Sequence, residues 1–346
     1  MTPFRFLRTA LHPTPSQARL ASSVCLASLA LLGATQAQAS AASGGHGTTV
    51  ETLEHLSVSQ NRRLRELLHE QCLPEGEHTH CLSAGMGGVT GEATRRGTQQ
   101  VGHVAAGWRV SEHFALGVNA NLGRADLNTE AALQDRAYGL ALWGAYHQLP
   151  HELGWMASAS VAAGSSQNHF ERDLGPHHEP AKADTDMRSR AVRLMVGYGF
   201  HVGSSVIAPE LAFSHARTEQ DGFTERNVAH PLTFQRAGSR ETMATLGLHS
   251  ATPVSPKASV HLGVAVEALL DEDLEALQGH SEEPGMDHFH QHSDFQKRSW
   301  LPTASLGYHY ALSHNATLSG QVQAEASSFE HQGPVYGVGV NYHYSF

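Results

Sequence analysis

The sequence lacks both a long apolar run and a concentration of positive charge. Beyond its first 39 residues it has no stretch of the roughly 20 apolar residues that a membrane-spanning helix needs. Lysine and arginine number 23 against 33 aspartates and glutamates, and the formal net charge is −10. Nucleic-acid phosphates require clustered basic side chains, so this balance excludes a nucleic-acid partner. Strands of a membrane barrel carry a weaker hydropathy signal than membrane helices, so the sequence is still compatible with a β-barrel membrane protein.

Cysteine is scarce as well, with three in 346 residues. Cys25 lies within the short apolar stretch 21–33, which follows a positively charged front and precedes Ala37-Gln38-Ala39. This order predicts a secretory signal peptide over residues 1–39. A membrane anchor is the alternative, but the apolar stretch is too short to span a bilayer. The mature chain then begins at Ser40 and is more acidic still, because the leader contains three arginines and no acid.

The two remaining cysteines, Cys72 and Cys81, would meet an oxidising compartment after export. We therefore predict a disulfide between them. His78 and His80 lie between the two cysteines, so a small metal site is the alternative reading. The segment lacks the second ligand pair of a zinc motif, which favours the disulfide.

A single helix is predicted near the start of the mature chain, after a small-residue linker at 40–48. Thr48 with Glu51 forms a capping box, and Pro74 with Gly76 ends the pattern. The helix is expected over residues 49–72, with its charged side chains opposite one narrow apolar stripe made by Leu53, Leu56, Leu64 and Leu67.

From Cys81 onward a two-residue period replaces the helical one. The last segment, 335–346, has small and polar residues on one face and, on the other, Val338, Val340, Tyr342, Tyr344 and Phe346. The edge strand of a soluble sandwich is the alternative for such a segment. Elsewhere Arg193, Glu267 and Glu325 lie opposite apolar faces, and a water-filled lumen accepts such charges where a packed core does not.

Twelve alternating segments are predicted, an even number, as a closed antiparallel barrel requires. The connections after strands 5, 7 and 9 are long and polar, whereas alternate connections are brief turns. The fold class is therefore all-β, a 12-stranded antiparallel transmembrane barrel, with strands at 82–91, 98–110, 113–124, 135–148, 152–168, 187–202, 205–219, 235–251, 257–270, 296–311, 315–329 and 335–346.

The order of these parts resembles the autotransporter β-domain, the translocator barrel of type V secretion. The resemblance covers residues 49–346 and includes the helix segment Val58-Ser59-Gln60-Asn61-Arg62-Arg63-Leu64. It implies an N-terminal helix in the lumen (domain 49–81) and a barrel (domain 82–346) in the outer membrane, with the long loops outside. It also implies that a barrel-assembly machinery reads a terminal signal made by Phe346, Tyr344 and Tyr342.

Partners expected on this basis are outer-membrane lipid, the barrel-assembly machinery and periplasmic chaperones, with the barrel itself monomeric. Only residues 40–48 precede the helix in this sequence, so we expect little or no passenger. The helix is too polar for lipid, and we expect it to plug the pore, with Asn61 in the lumen and Arg62, Arg63 and Arg65 facing lumenal carboxylates. A helix standing in the periplasm as a partner-binding element is the alternative.

Other functions remain as alternatives: a passive outer-membrane pore, a barrel displaying metal-binding loops, or an outer-membrane hydrolase. The chain has 26 histidines, and weak metal candidates are His288, His290 and His292 in the loop after strand 9. No spacing fixes a rigid four-ligand site there. No Gly-x-Ser-x-Gly elbow or other catalytic arrangement stands out, so we predict neither an enzyme nor a cofactor.

Overall fold

A computed structural model of the chain describes residues 47–91, 98–127, 133–149, 152–172, 179–281, 288–291, 298–328 and 333–346. Within these residues it contains one α-helix, α1 (Gly47–His69), and sixteen strands. No helix among them is long and apolar enough to cross a membrane. The predicted signal peptide over residues 1–39 lies outside the described residues.

Twelve of the strands in the described chain form one closed antiparallel barrel. Neighbours in sequence are neighbours in the sheet, and the last strand pairs with the first from Cys81↔Ser345 to Gly91↔Val335. This confirms the predicted 12-stranded barrel with the helix inside it. The barrel strands are β1 (His80–Gly91), β2 (Thr98–Arg109), β3 (Phe114–Leu127), β4 (Leu133–His147), β5 (Gly154–Arg172), β6 (Ala181–Val202), β7 (Ser205–Gln220), β10 (Ala237–Ser255), β11 (Ala258–Leu274), β14 (Trp300–Ala311), β15 (Ala316–Glu325) and β16 (Val335–Ser345).

Side chains alternate between the lumen and the outer surface along each barrel strand. On β6 the lumenal positions are buried from Ala181 to Arg193, and the outward positions from Val192 to Val202 are apolar. That outward stretch is roughly 34 Å along the strand at about 3.4 Å per residue. A strand tilt of roughly 40° reduces its height to about 26 Å, which matches the apolar band of a membrane barrel.

Four short strands outside the barrel were not predicted. They are β8 (Phe223–Thr224), β9 (Leu232–Phe234), β12 (Leu277–Ser281) and β13 (Phe289–Gln291), and they form a second sheet in the order β13-β12-β9-β8. We name this sheet the cap sheet. The predicted long polar loops after strands 7 and 9 therefore contain ordered structure, because each holds a few apolar side chains that pack together.

Two predicted boundaries were also wrong. The connection after strand 5 is short, because β5 and β6 continue to pair out to Arg172↔Ala181 beyond the apolar band. The helix ends at His69 rather than at Cys72, because side chains of the barrel wall bind its last carbonyls.

Candidate functional site

The leucines of α1 pack against a row of small side chains on the lumenal wall. Ala141, Ala162, Ala191 and Ala216 are directly paired across β4, β5, β6 and β7, and all four are buried. Leu64, Leu67 and Leu68 fill the space that these alanines leave. We name the four residues the alanine row. It lets the helix approach one side of the barrel closely, and burial of the three leucines stabilises that position.

The arginines of α1 face carboxylates on the other side of the lumen. Arg62 Nη2 lies 2.7 Å from Glu325 Oε2, and its Nε lies 3.3 Å from Glu66 Oε1 one turn along the helix. Arg65 Nη1 lies 3.1 Å from Glu241 Oε1 and 3.9 Å from Glu267 Oε2. The exposed fractions of the Arg65, Glu241 and Glu267 side chains are 9%, 12% and 17%, so water screens these pairs little.

Asn61 and Arg63 contact different parts of the wall. The hydroxyl of Thr218 donates a 2.6 Å hydrogen bond to Asn61 Oδ1, and both residues are buried. Arg63 is 3% exposed, and its Nη1 lies over Gly123, where an added Cβ would come within 3.4 Å of it. All four of the predicted helix residues are thus enclosed by the barrel.

Wall side chains cap the C-terminal end of α1. Asn119 Nδ2 donates to the carbonyls of Leu67 (3.1 Å) and Glu70, and Ser160 Oγ donates to Leu68 O at 3.0 Å. Trp143 Nε1 donates to Asn119 Oδ1 at 3.0 Å and fixes the amide orientation. The last turn of a helix has carbonyls without helical partners, and here the barrel supplies the donors.

The connector from Glu70 to Thr79 joins α1 to β1 and is bound to the wall. Cys72 and Cys81 are buried within disulfide-bonding distance, with their Cα atoms 5.9 Å apart. Arg109 donates to the carbonyls of Gly76, at 2.6 Å, and Pro74. A Cβ on Gly107 would lie 1.9 Å from Cys72 O, so glycine is required for the connector to approach β2 this closely.

The cap sheet covers the N-terminal part of α1. Leu53 and Leu56 are buried in one apolar cluster with residues of the cap sheet and the barrel rim, among them Phe223, Leu232 and Phe234. Ser57 Oγ also lies 2.5 Å from Ser239 Oγ on β10. The helix is therefore held at both ends and along its length.

A cavity of about 300 Å³ remains between α1 and the wall opposite the alanine row. Glu66 and Glu70 face it from the helix, and small or polar residues line the wall, including Gly87, Gly339, Gln321, Gln323 and Asn341. The helix thus occupies most of the lumen and leaves a narrow polar space beside it.

The predicted terminal signal residues lie at the seam where the barrel closes. Tyr342, Tyr344 and Phe346 face outward, with 42%, 36% and 50% of their surface exposed. The Phe346 backbone N–H donates to the carbonyl of His80 at 2.9 Å, and the Phe346 carbonyl accepts from the His80 N–H at 3.0 Å. Its ring stacks on His80 and on Tyr344, with centroid separations of 5.6 and 5.9 Å.

Two of the three weak metal candidates lie among the described residues. His288 lies beside His280 with ring centroids 6.4 Å apart, His290 lies on β13, and His292 lies outside the described residues. Within the described ranges, one group of three ligand side chains is close enough to share an ion: Cys72, Cys81 and His343. The sulfurs of that group are within bonding distance of each other, which leaves the imidazole alone as a free ligand.

Sequence reasoning missed the residues that position the helix. Glu241 and Asn119 occupy lumenal positions in alternating strands. Apart from that position, nothing in the sequence indicates that they bind the helix. The alanine row carries no local signal, because its four members become neighbours only through the strand register.

A comparison with protein families gives one match over most of the barrel. Residues 84–323 match the family described as the autotransporter beta-domain. None of the curated protein sequences matches the chain.

Solved structures of the same kind share the fold. The chain is similar to the translocator domain of the autotransporter NalP from Neisseria meningitidis, with 15% identity and a TM-score of 0.68 over 87% of this chain and 100% of that chain. It is also similar to the beta domain of the Bordetella autotransporter BrkA, with 14% identity and a TM-score of 0.53 over 78% and 100% of the two chains.

Proposed function

The chain belongs to the autotransporter β-domain family, and from this premise we propose that α1 is the resident plug of its translocator pore. The barrel is an outer-membrane translocator, as the family and its structural neighbours indicate. The observation that supports a plug is the fit of α1 to the wall: its leucines meet the alanine row, and Arg62 and Arg65 meet carboxylates of β10, β11 and β15.

This fit combines shape with charge. The alanine row gives room for Leu64, Leu67 and Leu68 on the side formed by β4 to β7. A buried arginine without its carboxylate, or a buried carboxylate without its arginine, costs several kcal/mol, on the order of 3 to 5. The alanine row and the lumenal carboxylates therefore fix the rotation of α1 and its position along the barrel axis. A polypeptide without these leucines and arginines would not make the same contacts.

We also propose that the long-loop end of the barrel, with its cap sheet, faces outside the cell. The connector and the short turns then lie on the periplasmic side. Supporting this orientation, the N-terminal part of α1 lies under the cap sheet and the connector after its C-terminal end leads to β1 at the short-turn end, so the chain enters α1 at the long-loop end.

Cysteine labelling tests the orientation. Asn227, in the β8–β9 connection, and Glu112, in the β2–β3 turn, are both exposed and lie at opposite ends of the barrel. A membrane-impermeant maleimide should label Asn227→Cys in intact cells, and it should label Glu112→Cys only after the outer membrane is permeabilised. Labelling of Glu112→Cys alone in intact cells would reverse the proposed orientation.

Export and assembly form the last part of the proposal. Residues 1–39 act as a signal peptide, periplasmic chaperones carry the mature chain, and the barrel-assembly machinery recognises Phe346, Tyr344 and Tyr342. In support, Phe346 bridges the β1–β16 seam through its backbone bonds with His80. Folding into the membrane needs that seam closed, because an open sheet edge leaves unpaired backbone groups in lipid.

Phe346→Ala keeps the backbone bonds but removes the aromatic ring that the assembly machinery is proposed to recognise, so it should lower the amount of assembled, heat-modifiable protein in the outer membrane. Tyr336→Ala is the matched control, since Tyr336 is an outward aromatic residue of the same strand at its other end, 53% exposed against 50% for Phe346. Equal outer-membrane amounts of the Phe346→Ala variant, the control and the natural chain would refute the role of Phe346.

A further inference from the structure

Five arginines face outward at the edge of the apolar band that is nearest the cap sheet. On β6 the outward series Val202 to Val192 is followed directly by Arg190. The same direct step occurs on β3 and β4, and on β7 and β10 one polar residue, His215 or Thr242, lies between the apolar series and the arginine. We name these residues the arginine belt: Arg124, Arg136, Arg190, Arg217 and Arg240.

The strand register places these like charges directly opposite one another. Arg190 pairs with Arg217, and Arg217 pairs with Arg240, so three arginines form one row across β6, β7 and β10. Arg124 and Arg136 form a second such pair on β3 and β4. Neighbouring strands are about 4.8 Å apart, and like charges directly opposite at that spacing destabilise a sheet.

Acidic side chains of the protein offset this repulsion only in part. Arg217 lies 2.9 Å from Glu219 and Arg240 lies 3.2 Å from Asp273, but the two arginines are 62% and 54% exposed. Exposed pairs of this kind contribute little. Arg136 and Arg190 form no ion pair with any residue in the described ranges.

The belt is confined to one side of the barrel. On β1 and β16, on the opposite side, the outward residues near the same edge are neutral: Thr90 and Tyr336. The chain as a whole is acidic, with a formal net charge of −10, so a general excess of basic residues does not explain the row.

We propose that the arginine belt binds the phosphate groups of a lipid in the outer leaflet. A planar guanidinium binds phosphate through two parallel charge-assisted hydrogen bonds, and adjacent arginines on one row offer several such donors. The position at the edge of the apolar band is where lipid headgroups lie. The assignment to the outer leaflet rests on the proposed orientation of the loops. Lipid binding by the arginine belt is independent of that orientation.

Native mass spectrometry of the detergent-purified full chain tests the proposal. The probes are lipid A, which carries two phosphates on a glucosamine disaccharide, its dephosphorylated form, and inorganic phosphate alone. The variant Arg136→Gln/Arg190→Gln/Arg217→Gln should bind lipid A about tenfold more weakly than the natural chain, because it loses three guanidinium donors. Dephosphorylated lipid should bind both proteins equally weakly.

The matched control removes the same charge elsewhere, as Lys182→Gln/Arg226→Gln/Lys257→Gln, and should keep the natural affinity. Arg190→Gln alone should give a partial loss, and heat-modifiable migration identifies the folded sample of each variant. Unchanged binding by the belt variant, an equal loss in the control, or equally tight binding of inorganic phosphate would overturn the proposal. Because detergent removes any dependence on orientation, such a failure leaves the translocator and plug proposal untouched.

Discussion

At the scale of single residues, the helix depends on a small number of buried charges. Arg65 lies between Glu241 and Glu267, and Arg62 lies against Glu325. These carboxylates come from β10, β11 and β15, none of which contributes to the alanine row. The apolar contacts and the ion pairs therefore hold opposite sides of the same helix. Together they restrict its rotation in the lumen.

Arg65→Met should open α1 without unfolding the barrel. The substitution leaves two carboxylates buried without a counter-charge, at a cost on the order of 3 to 5 kcal/mol. Backbone amides of α1 should then exchange with deuterium at least about 100-fold faster, since 1.4 kcal/mol is tenfold in an equilibrium constant. Arg226→Met is the control, because its ion pair with Asp184 is exposed and contributes below about 1 kcal/mol.

Combining Arg65→Met with Glu241→Gln and Glu267→Gln should restore part of the protection, since no buried charge is then left unpaired. Exchange rates in Arg65→Met that equal those of the natural chain would mean that the ion pairs do not hold the helix.

At the scale of elements, the helix could be predicted from sequence but its end could not. The capping box and the leucine stripe are local patterns, and they predict that a helix forms from about Thr48 onward. Its termination at His69 depends on Asn119 and Ser160, which lie on β3 and β5 and reach the helix only in the folded barrel. A local pattern contains no information about such partners.

The connector offers a prediction at the same scale. Gly107→Ala places a Cβ 1.9 Å from Cys72 O and 3.0 Å from Cys81 Sγ, so the connector must move away from β2. We expect Cys72 and Cys81 then to remain partly unpaired. Gly102→Ala on the same strand is the control, because its Cβ meets nothing closer than 3.9 Å.

Titration of thiols in denatured, oxidised protein measures the outcome. The natural chain and Gly102→Ala should show no free thiol from this pair, and Gly107→Ala should show free thiols in a fraction of the molecules. Two free thiols in the natural chain would refute the disulfide itself, which the chain-entropy model estimates to stabilise so short a loop by roughly 2 to 3 kcal/mol. Full oxidation of Gly107→Ala would show that the close approach is not required.

At the scale of the whole molecule, the barrel was predictable because its signal repeats. Alternation of outward apolar and inward polar residues recurs in twelve segments, and Arg193, Glu267 and Glu325 indicated a wet lumen. The cap sheet gave no such signal, since β8, β9, β12 and β13 are two to five residues long and pair only with one another. Strands of that length have too few residues to show a two-residue alternation of apolar and polar side chains.

In the described chain, α1 is enclosed by the cap sheet at one end and by the barrel wall along its length. The cap sheet and the barrel rim bury Leu53 and Leu56, the alanine row packs against the middle of the helix, and Asn119 with Trp143 holds its C-terminal end. A cavity of about 300 Å³ lies beside the helix. The natural protein should accordingly conduct ions poorly, though not at zero.

The most direct test of the plug is the conductance of the purified barrel in a planar lipid bilayer. Deletion of residues 49–68 should raise the single-channel conductance several-fold. The full-length variant Arg62→Glu/Arg65→Glu places like charges against Glu241, Glu267 and Glu325, and it should have a higher open probability than the natural chain. Heat-modifiable migration of each sample selects the folded barrels. An unchanged low conductance in both variants would place the helix outside the conducting path and contradict the account.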